Sequence, residues 1–272
     1  VDQKIQDEMV KGKLFVPQQL NVACGQSVGK QRDHNEDSLF TFTITLGNET
    51  NKIPLGLYLI ADGMGGHQHG EIASNTAVRT VAGLVLRKFI PFISEKPEKI
   101  DEPLQEMMRT VIHDTQLSVR QSAPDGGTTL TAALVLGTQV TITHIGDSRA
   151  YMLHHDLRME ALTRDHSLAK RLEELGQITA EEAAVHPHRN VLYRALGQGE
   201  LLEPDILTTQ FPQPGYILLC TDGLWGVLTE DEIVQIIHES PNIQVACQGL
   251  VEAANEAGGP DNISVILVQL LG

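Results

Sequence analysis

Positive charge is scarce in this chain, with 20 Lys and Arg against 35 Asp and Glu over 272 residues, a formal net charge of -15. Such a field repels polyanions, so neither nucleic acid nor an anionic membrane is expected as a partner. A single phosphate is still permitted where a cation or an arginine supplies the missing charge. Aromatic residues make up only 4% of the chain, which leaves the core to Leu, Ile, Val and Ala. The three cysteines, Cys24, Cys220 and Cys247, form no CxxC pair and read as reduced core thiols. No apolar run approaches transmembrane length, and the polar N-terminal stretch holds no secretory core, so a cytoplasmic protein is expected. Asn48-Glu49-Thr50 and Asn262-Ile263-Ser264 have glycosylation spacing, which means little without a secretion signal.

Several catalytic signatures are also missing. The glycines after Asp62 fit neither GxGxxG nor a phosphate loop ending in Lys-Ser/Thr. There is no HExxH, no EF-hand loop, no serine elbow and no Cys-x5-Arg phosphate loop. His67-Gln68-His69, His154-His155 and His186-Pro187-His188 therefore read as surface histidines rather than zinc ligands.

What is present is strand-rich. Leu20, Val22 and Cys24 alternate as a half-buried strand, and a second alternation runs through Leu39, Phe40, Phe42 and Ile44. "LGNETNKIP" reads as a hairpin connection into an apolar strand, Leu55 to Ala61, with Asp62 at its tip. Ile72, Ala73, Ala77, Val81 and Val85 then recur at helical spacing until Pro91 ends the helix, and a second helix spans about 102–122. Residues 128–155 form short strands separated by Gly137-Thr138 and Gly146-Asp147. Thr179 with Glu182, and Thr229 with Glu232, have capping-box spacing. Strands at 207–211, 216–221 and 263–270 and a helix at 243–256 complete the pattern. Short turns between strands, without a βαβ rhythm, place the chain in the α+β class with largely antiparallel sheets. It is read as one domain, 1–272, with a flap-like insertion at about 165–198 over one edge of the site.

One feature recurs. "LYLIADG", "YILLCTDG", "THIGDS" and "AGGPDNISVILV" each put an aspartate at a strand end, and Asn35-Glu36-Asp37 opens another strand. One aspartate at a turn is ordinary; four at strand ends, usually beside glycine, suggest acidic groups converging where two sheets pack together. Converging carboxylates repel unless protonated or bridged by cations. An all-oxygen set drawn from Glu36, Asp37, Asp62, Asp222 and Asp261 suits Mg²⁺, Mn²⁺ or Ca²⁺ better than Zn²⁺. Gly63 and Gly223 are expected to keep the space beside the carboxylates open.

Seven segments together resemble the metal-dependent protein phosphatases of the PP2C (PPM) type in their bacterial form. They are "GKQRDHNEDS", "LIADGMGGHQHGEIAS", "GGTTLTAALV", "HIGDSRAYML", "LTRDHSL", "LLCTDGLWGVL" and "GGPDNISVILV", in that order from about Leu20 to Leu271. The resemblance implies a β-sandwich of two antiparallel sheets with helices on both sides, α/β/β/α. It implies hydrolysis of phosphoserine and phosphothreonine esters in proteins by water activated between two Mn²⁺ or Mg²⁺ ions. By motif, Asp62 bridges both ions, Glu36 and the Gly63 carbonyl hold one, Asp222 and Asp261 hold the other, and Asp37 acts through water. Arg32, four residues before Glu36, matches the phosphate-binding arginine, and a guanidinium fork suits a tetrahedral dianion.

Two departures stand out. Met64 occupies the place of a histidine that animal members use as a proposed general acid, which leaves the proton donor open, with His67 nearby. Many bacterial members bind a third, weaker ion; Asp125 stands close to the required place with imperfect spacing. The resemblance implies phosphoprotein substrates, a cognate protein kinase in the same pathway and a monomer. A branch acting on small regulatory partners and a catalytically dead binding module are alternatives; the intact RxxxED pattern and the full set of metal aspartates speak against them. Asp147 and Asp165 are expected to make structural hydrogen bonds near the cleft, and Trp225 to pack in the core or cleft wall.

Overall fold

Eleven strands pair antiparallel throughout the computed structural model, which describes residues 18–47, 52–65, 68–94, 102–200 and 202–271. One sheet runs β1 (Gln19–Ser27), β11 (Ile263–Leu271), β10 (Gly215–Cys220), β7 (Arg149–His154) and β8 (Met159–Ala161) in spatial order. The other runs β2 (Asp37–Gly47), β3 (Lys52–Met64), β5 (Leu130–Leu136), β6 (Gln139–Ile145) and β9 (Asp205–Gln210). A two-residue strand, β4 (Gly127–Thr128), pairs with the end of β3.

The alternation of side chains explains why the strands read as continuous apolar runs. Along β3, Tyr58 and Ile60 point into the sandwich, where they meet Ala133, Val135 and Ile142 of their own sheet and Ile217, Leu219, Ile266 and Val268 of the other. Leu55, Leu57 and Leu59 point outward, onto helices α1 (Gln68–Ser94) and α2 (Leu104–Ser122) through Ala73, Ala77, Val81, Val85, Met108 and Ile112. On the far side, Leu218, Val265 and Leu267 pack against α6 (Glu230–Glu239) and α7 (Ile243–Glu256) through Ile233, Ile237, Ala246 and Leu250. The result is helix, sheet, sheet, helix, with three apolar layers built mainly from aliphatics. Short helices α3 (Leu168–Glu174) and α4 (Ala180–Ala184) stand between β8 and β9. A single turn, α5 (Asp222–Trp225), follows β10. Among the described residues no helix is long and apolar enough to cross a membrane.

The capping boxes at Thr179/Glu182 and Thr229/Glu232 are both formed, and the 243–256 helix keeps its expected ends. Several expectations are corrected. Pro91 lies inside α1, which continues to Ser94; so close to the end, its missing N–H costs a single bond. Ile72 is 40% exposed, so the buried stripe of α1 starts at Ala73. Cys24 is exposed on β1, whereas Cys220 and Cys247 are buried; all three are free. Asn262 is buried and fully engaged in hydrogen bonds, so its Asn-Ile-Ser spacing marks no glycan site. Asn48, the 48–51 connection and His67 lie outside the described residues.

Candidate metal centre

β3 does not stop before Asp62. It continues to Met64 because Gly63 and Met64 pair with Thr128 and Gly127 of β4, so Asp62 sits within a strand rather than at its tip. Its backbone is fixed on both sides by the Gly-Gly-Thr-Thr segment. The Asp62 N–H donates to Thr129 Oγ1 (2.8 Å), and the Asp62 carbonyl accepts from Thr128 Oγ1 (2.8 Å) and from the Thr129 N–H (2.9 Å). Every backbone polar group of Asp62 is therefore occupied, and its carboxylate lies against that of Asp222. Across the ladder Asp62 faces Asp37, the first residue of β2.

Asp37 Oδ2 accepts from Ser264 Oγ (2.7 Å) and Thr221 Oγ1 (3.0 Å), which ties β2 to β11 and to the end of β10. Asn262 clamps the loop before β2: its Oδ1 accepts the Glu36 N–H (2.8 Å), and its Nδ2 donates to the carbonyls of Val28 and His34 (2.9 Å each). The Glu36 carbonyl in turn accepts from Ser74 Oγ (2.6 Å) and the Gly63 N–H (3.2 Å). Asp222 opens α5, and Asp261 precedes β11, with its Oδ1 accepting the Asn262 N–H and its Oδ2 paired with Arg32 at 2.7 Å.

These carboxylates feel one another. Burial pushes Asp62 well above the ordinary carboxylate range, with Asp37, Asp222, Asp147 and Asp261 adding repulsion. Asp37 is pushed up to about 7, chiefly by burial, against the hydrogen bonds from Ser264 and Thr221. Asp222 rises to about 6 through burial and the charge of Asp261. Asp147 also rises well above its usual range, through burial first and then Asp222. Asp147 thus belongs to the charge cluster; its place in "THIGDS", one of the recurrent strand-end aspartates, was the available signal. Asp165 does make the expected structural bond, a bidentate pair with Arg149 (2.9 and 2.8 Å).

Three oxygens test the fit to cations. Glu36 Oε1, Asp37 Oδ1 and Asp222 Oδ1 are buried and accept no hydrogen bond among the described residues. Buried acceptors without a donor are costly, and oxygen-only donors of this kind match hard divalent ions. The residues therefore fit such ions, although among the described residues no three Asp, Glu, His or Cys side chains already stand as a formed ligand cage.

The glycines serve a different purpose from the one expected. A Cβ on Gly63 would lie 2.2 Å from the Gly70 carbonyl oxygen and 2.7 Å from that of Glu36, and one on Gly223 would lie 2.0 Å from the Asn262 carbonyl oxygen. They bring backbones together; they do not leave room. Asp125 lies exposed in the turn before β4. A cleft of about 450 Å³ opens beside Asp222 and Asp261, walled by α3 and α4 opposite and by Trp225 and Arg149 at one end. Buried His166 accepts the Gly146 N–H at Nδ1 (3.1 Å), which places its proton on Nε2 toward Asp205 and anchors the turn that carries Asp147.

Comparison with known proteins agrees with this architecture. The family model described as "Protein phosphatase 2C" matches residues 24–263. The serine/threonine phosphatase Stp of Listeria innocua is 35% identical over 242 residues, covering 89% of this chain and 92% of that protein. The crystal structure of the Mycobacterium tuberculosis serine/threonine phosphatase PstP/Ppp superposes with a TM-score of 0.77 at 30% identity, covering 93% of this chain and all of that one. A PstP catalytic domain solved with two manganese ions superposes with a TM-score of 0.73 at 29% identity, covering 94% of this chain and all of that one. With its two packed antiparallel sheets and its cluster of acidic side chains at their ends, the chain belongs to the protein phosphatase 2C family in its bacterial form, the metal-dependent serine/threonine protein phosphatases.

Proposed function

We propose that Glu36, Asp62, Asp222 and Asp261, together with the Gly63 carbonyl, hold two Mn²⁺ or Mg²⁺ ions, and that the site hydrolyses phosphoserine and phosphothreonine esters in proteins. The observation that carries this reading is the trio of buried oxygens on Glu36, Asp37 and Asp222 that accept no hydrogen bond, within one cluster of aspartates. Divalent ions bound there supply Lewis acidity, which acidifies water and draws charge from the phosphoryl oxygens. Asp62, whose backbone is held by Thr128 and Thr129, would be one of the carboxylates holding both ions. Asp37, anchored through Oδ2, keeps Oδ1 free to orient a water. Arg32 is half exposed beside Asp261, so its guanidinium can leave that carboxylate to fork onto a phosphoryl dianion. Met64 has no acidic proton to give, so the departing serine or threonine oxygen would take its proton from water in the cleft or from His67. The substrate is a phosphorylated segment of another protein, whose phosphate a protein kinase installs.

Release of phosphate from p-nitrophenyl phosphate and from a phosphothreonine peptide, with Mn²⁺ and with chelator, tests the proposal. Metal-dependent turnover of both is expected; turnover indifferent to chelator, or none at all, overturns it.

A further inference from the structure

Asp222 is carried by a single helical turn, and a four-residue helix has little stability of its own. Something outside must set where that turn, and so the Asp222 carboxylate, comes to rest. The far end of the same turn is Trp225, the only tryptophan in the chain. Its indole Nε1–H donates to the Asp147 carbonyl at 3.0 Å. Asp147 is buried, and its carboxylate is close enough to Asp222 and Asp62 for their charges to repel. One hydrogen bond thus fixes the distance between two segments that each bring an aspartate to the cluster.

The ring is itself held. The Arg149 guanidinium carbon lies 3.6 Å from the Trp225 ring centroid. Arg149 cannot swing away, because its Nε and Nη2 grip both oxygens of Asp165 (2.9 and 2.8 Å) and its Nη1 donates to Tyr151 Oη (2.9 Å). A planar fork that both chelates a carboxylate and stacks on an aromatic face is something lysine cannot reproduce. The chain of contacts runs Asp165 to Arg149 to Trp225 to the Asp147 carbonyl, and Trp225 closes the turn that Asp222 opens. Arg149 and Trp225 also line the end of the cleft that contains Asp222 and Asp261.

We infer that Trp225, immobilised by Arg149, is a positioning residue: it sets the separation of Asp222 from Asp147 and Asp62, and through that separation governs the affinity of the centre for divalent ions. This rests on the proposed metal centre but adds to it a residue that touches neither ion nor substrate. Ligand positions tolerate little slack, and a misplacement of about 1 Å can cost about 100-fold in rate.

Two measurements decide it. Trp225→Phe keeps an aromatic ring beside Arg149 but removes the N–H together with part of the indole's packing volume, so its melting temperature is measured alongside. Loss of one such bond weakens Mn²⁺ binding measured by calorimetry about 3- to 10-fold. kcat for p-nitrophenyl phosphate is expected to fall at limiting metal, with KM unchanged. Because Trp225 is the only tryptophan, the intact protein shows one indole N–H resonance, which needs no variant to observe. That resonance is expected to shift during a Mg²⁺ titration, with the midpoint found by calorimetry of Mg²⁺ binding to the same protein. Trp225→Phe binding Mn²⁺ as tightly as the parent, with only its melting temperature lowered, overturns the inference, as does an indole resonance indifferent to saturating Mg²⁺. Failure of the metal centre itself looks different, since the parent protein would then bind no Mn²⁺ at all.

Discussion

Asp37 and Asp62 stand directly opposite one another on paired strands, β2 and β3, at the end of the sandwich where the acidic segments meet. Two buried carboxylates so placed cannot both ionise cheaply without a cation, and their raised proton affinities record that conflict.

The first consequence concerns pH. A carboxyl raised in the folded state binds protons there that the unfolded chain has already lost, so folding is favoured at low pH and that advantage fades as pH rises. For Asp37 the window runs from its ordinary 3.8 up to about 7. The metal-free protein is expected to lose melting temperature between about pH 4 and 7, more steeply than an Asp37→Asn variant. Saturating Mn²⁺ should remove most of the difference.

Asp62→Asn separates folding from catalysis. Removing the central charge relieves repulsion, so the metal-free variant is expected to melt at or above the parent temperature, while phosphatase activity with Mn²⁺ falls by at least about 1000-fold. Near-parental turnover on adding Mn²⁺ would reject the assignment of Asp62.

Asn262 ties three loop groups at once, so Asn262→Ala strips partners from the Glu36 N–H and from two carbonyls. Each buried group left unsatisfied costs about 1–3 kcal/mol. A loss of about 2–4 kcal/mol is expected in denaturant unfolding, because water recovers part of the deficit. Activity should fall too, since Glu36 is released with the loop.

Arg32 offers the opposite profile. Its pair with Asp261 is half exposed, and such pairs contribute about 0–1 kcal/mol, so Arg32→Ala should leave stability almost unchanged. Loss of the guanidinium from a phosphoryl dianion is expected to lower kcat/KM on a phosphothreonine peptide about 100-fold, and Arg32→Lys should recover only part of it.

Much of this architecture was legible because it is local. The Thr229/Glu232 and Thr179/Glu182 boxes specify helix starts by themselves, and the alternation through Leu57, Tyr58, Leu59 and Ile60 reads as a strand buried on both faces. The acidic strand ends of Glu36, Asp62, Asp222 and Asp261 could be read as a cluster since each carries the same punctuation. What escaped depends on partners distant in sequence. That β1 pairs with β11 along its whole length, from Gln19 opposite Leu271, follows from no local pattern. The extension of β3 through Asp62 comes from Gly127 and Thr128 lying beside it. The tight packing at Gly63 and Gly223 is set by Gly70 and Asn262, so a glycine beside a carboxylate read as open space when it marks backbone contact. For Asp147, "GDS" alone points to structural hydrogen bonding near the cleft, which its carbonyl makes to Trp225, but does not reveal the mutual repulsion with Asp222.

Anomalous scattering at the manganese edge, from crystals grown with Mn²⁺, locates any bound ion directly. The account expects two peaks among the carboxylates of Glu36, Asp62, Asp222 and Asp261, with Arg32 released from Asp261. An active, Mn²⁺-saturated crystal with no peak at that cluster would contradict it.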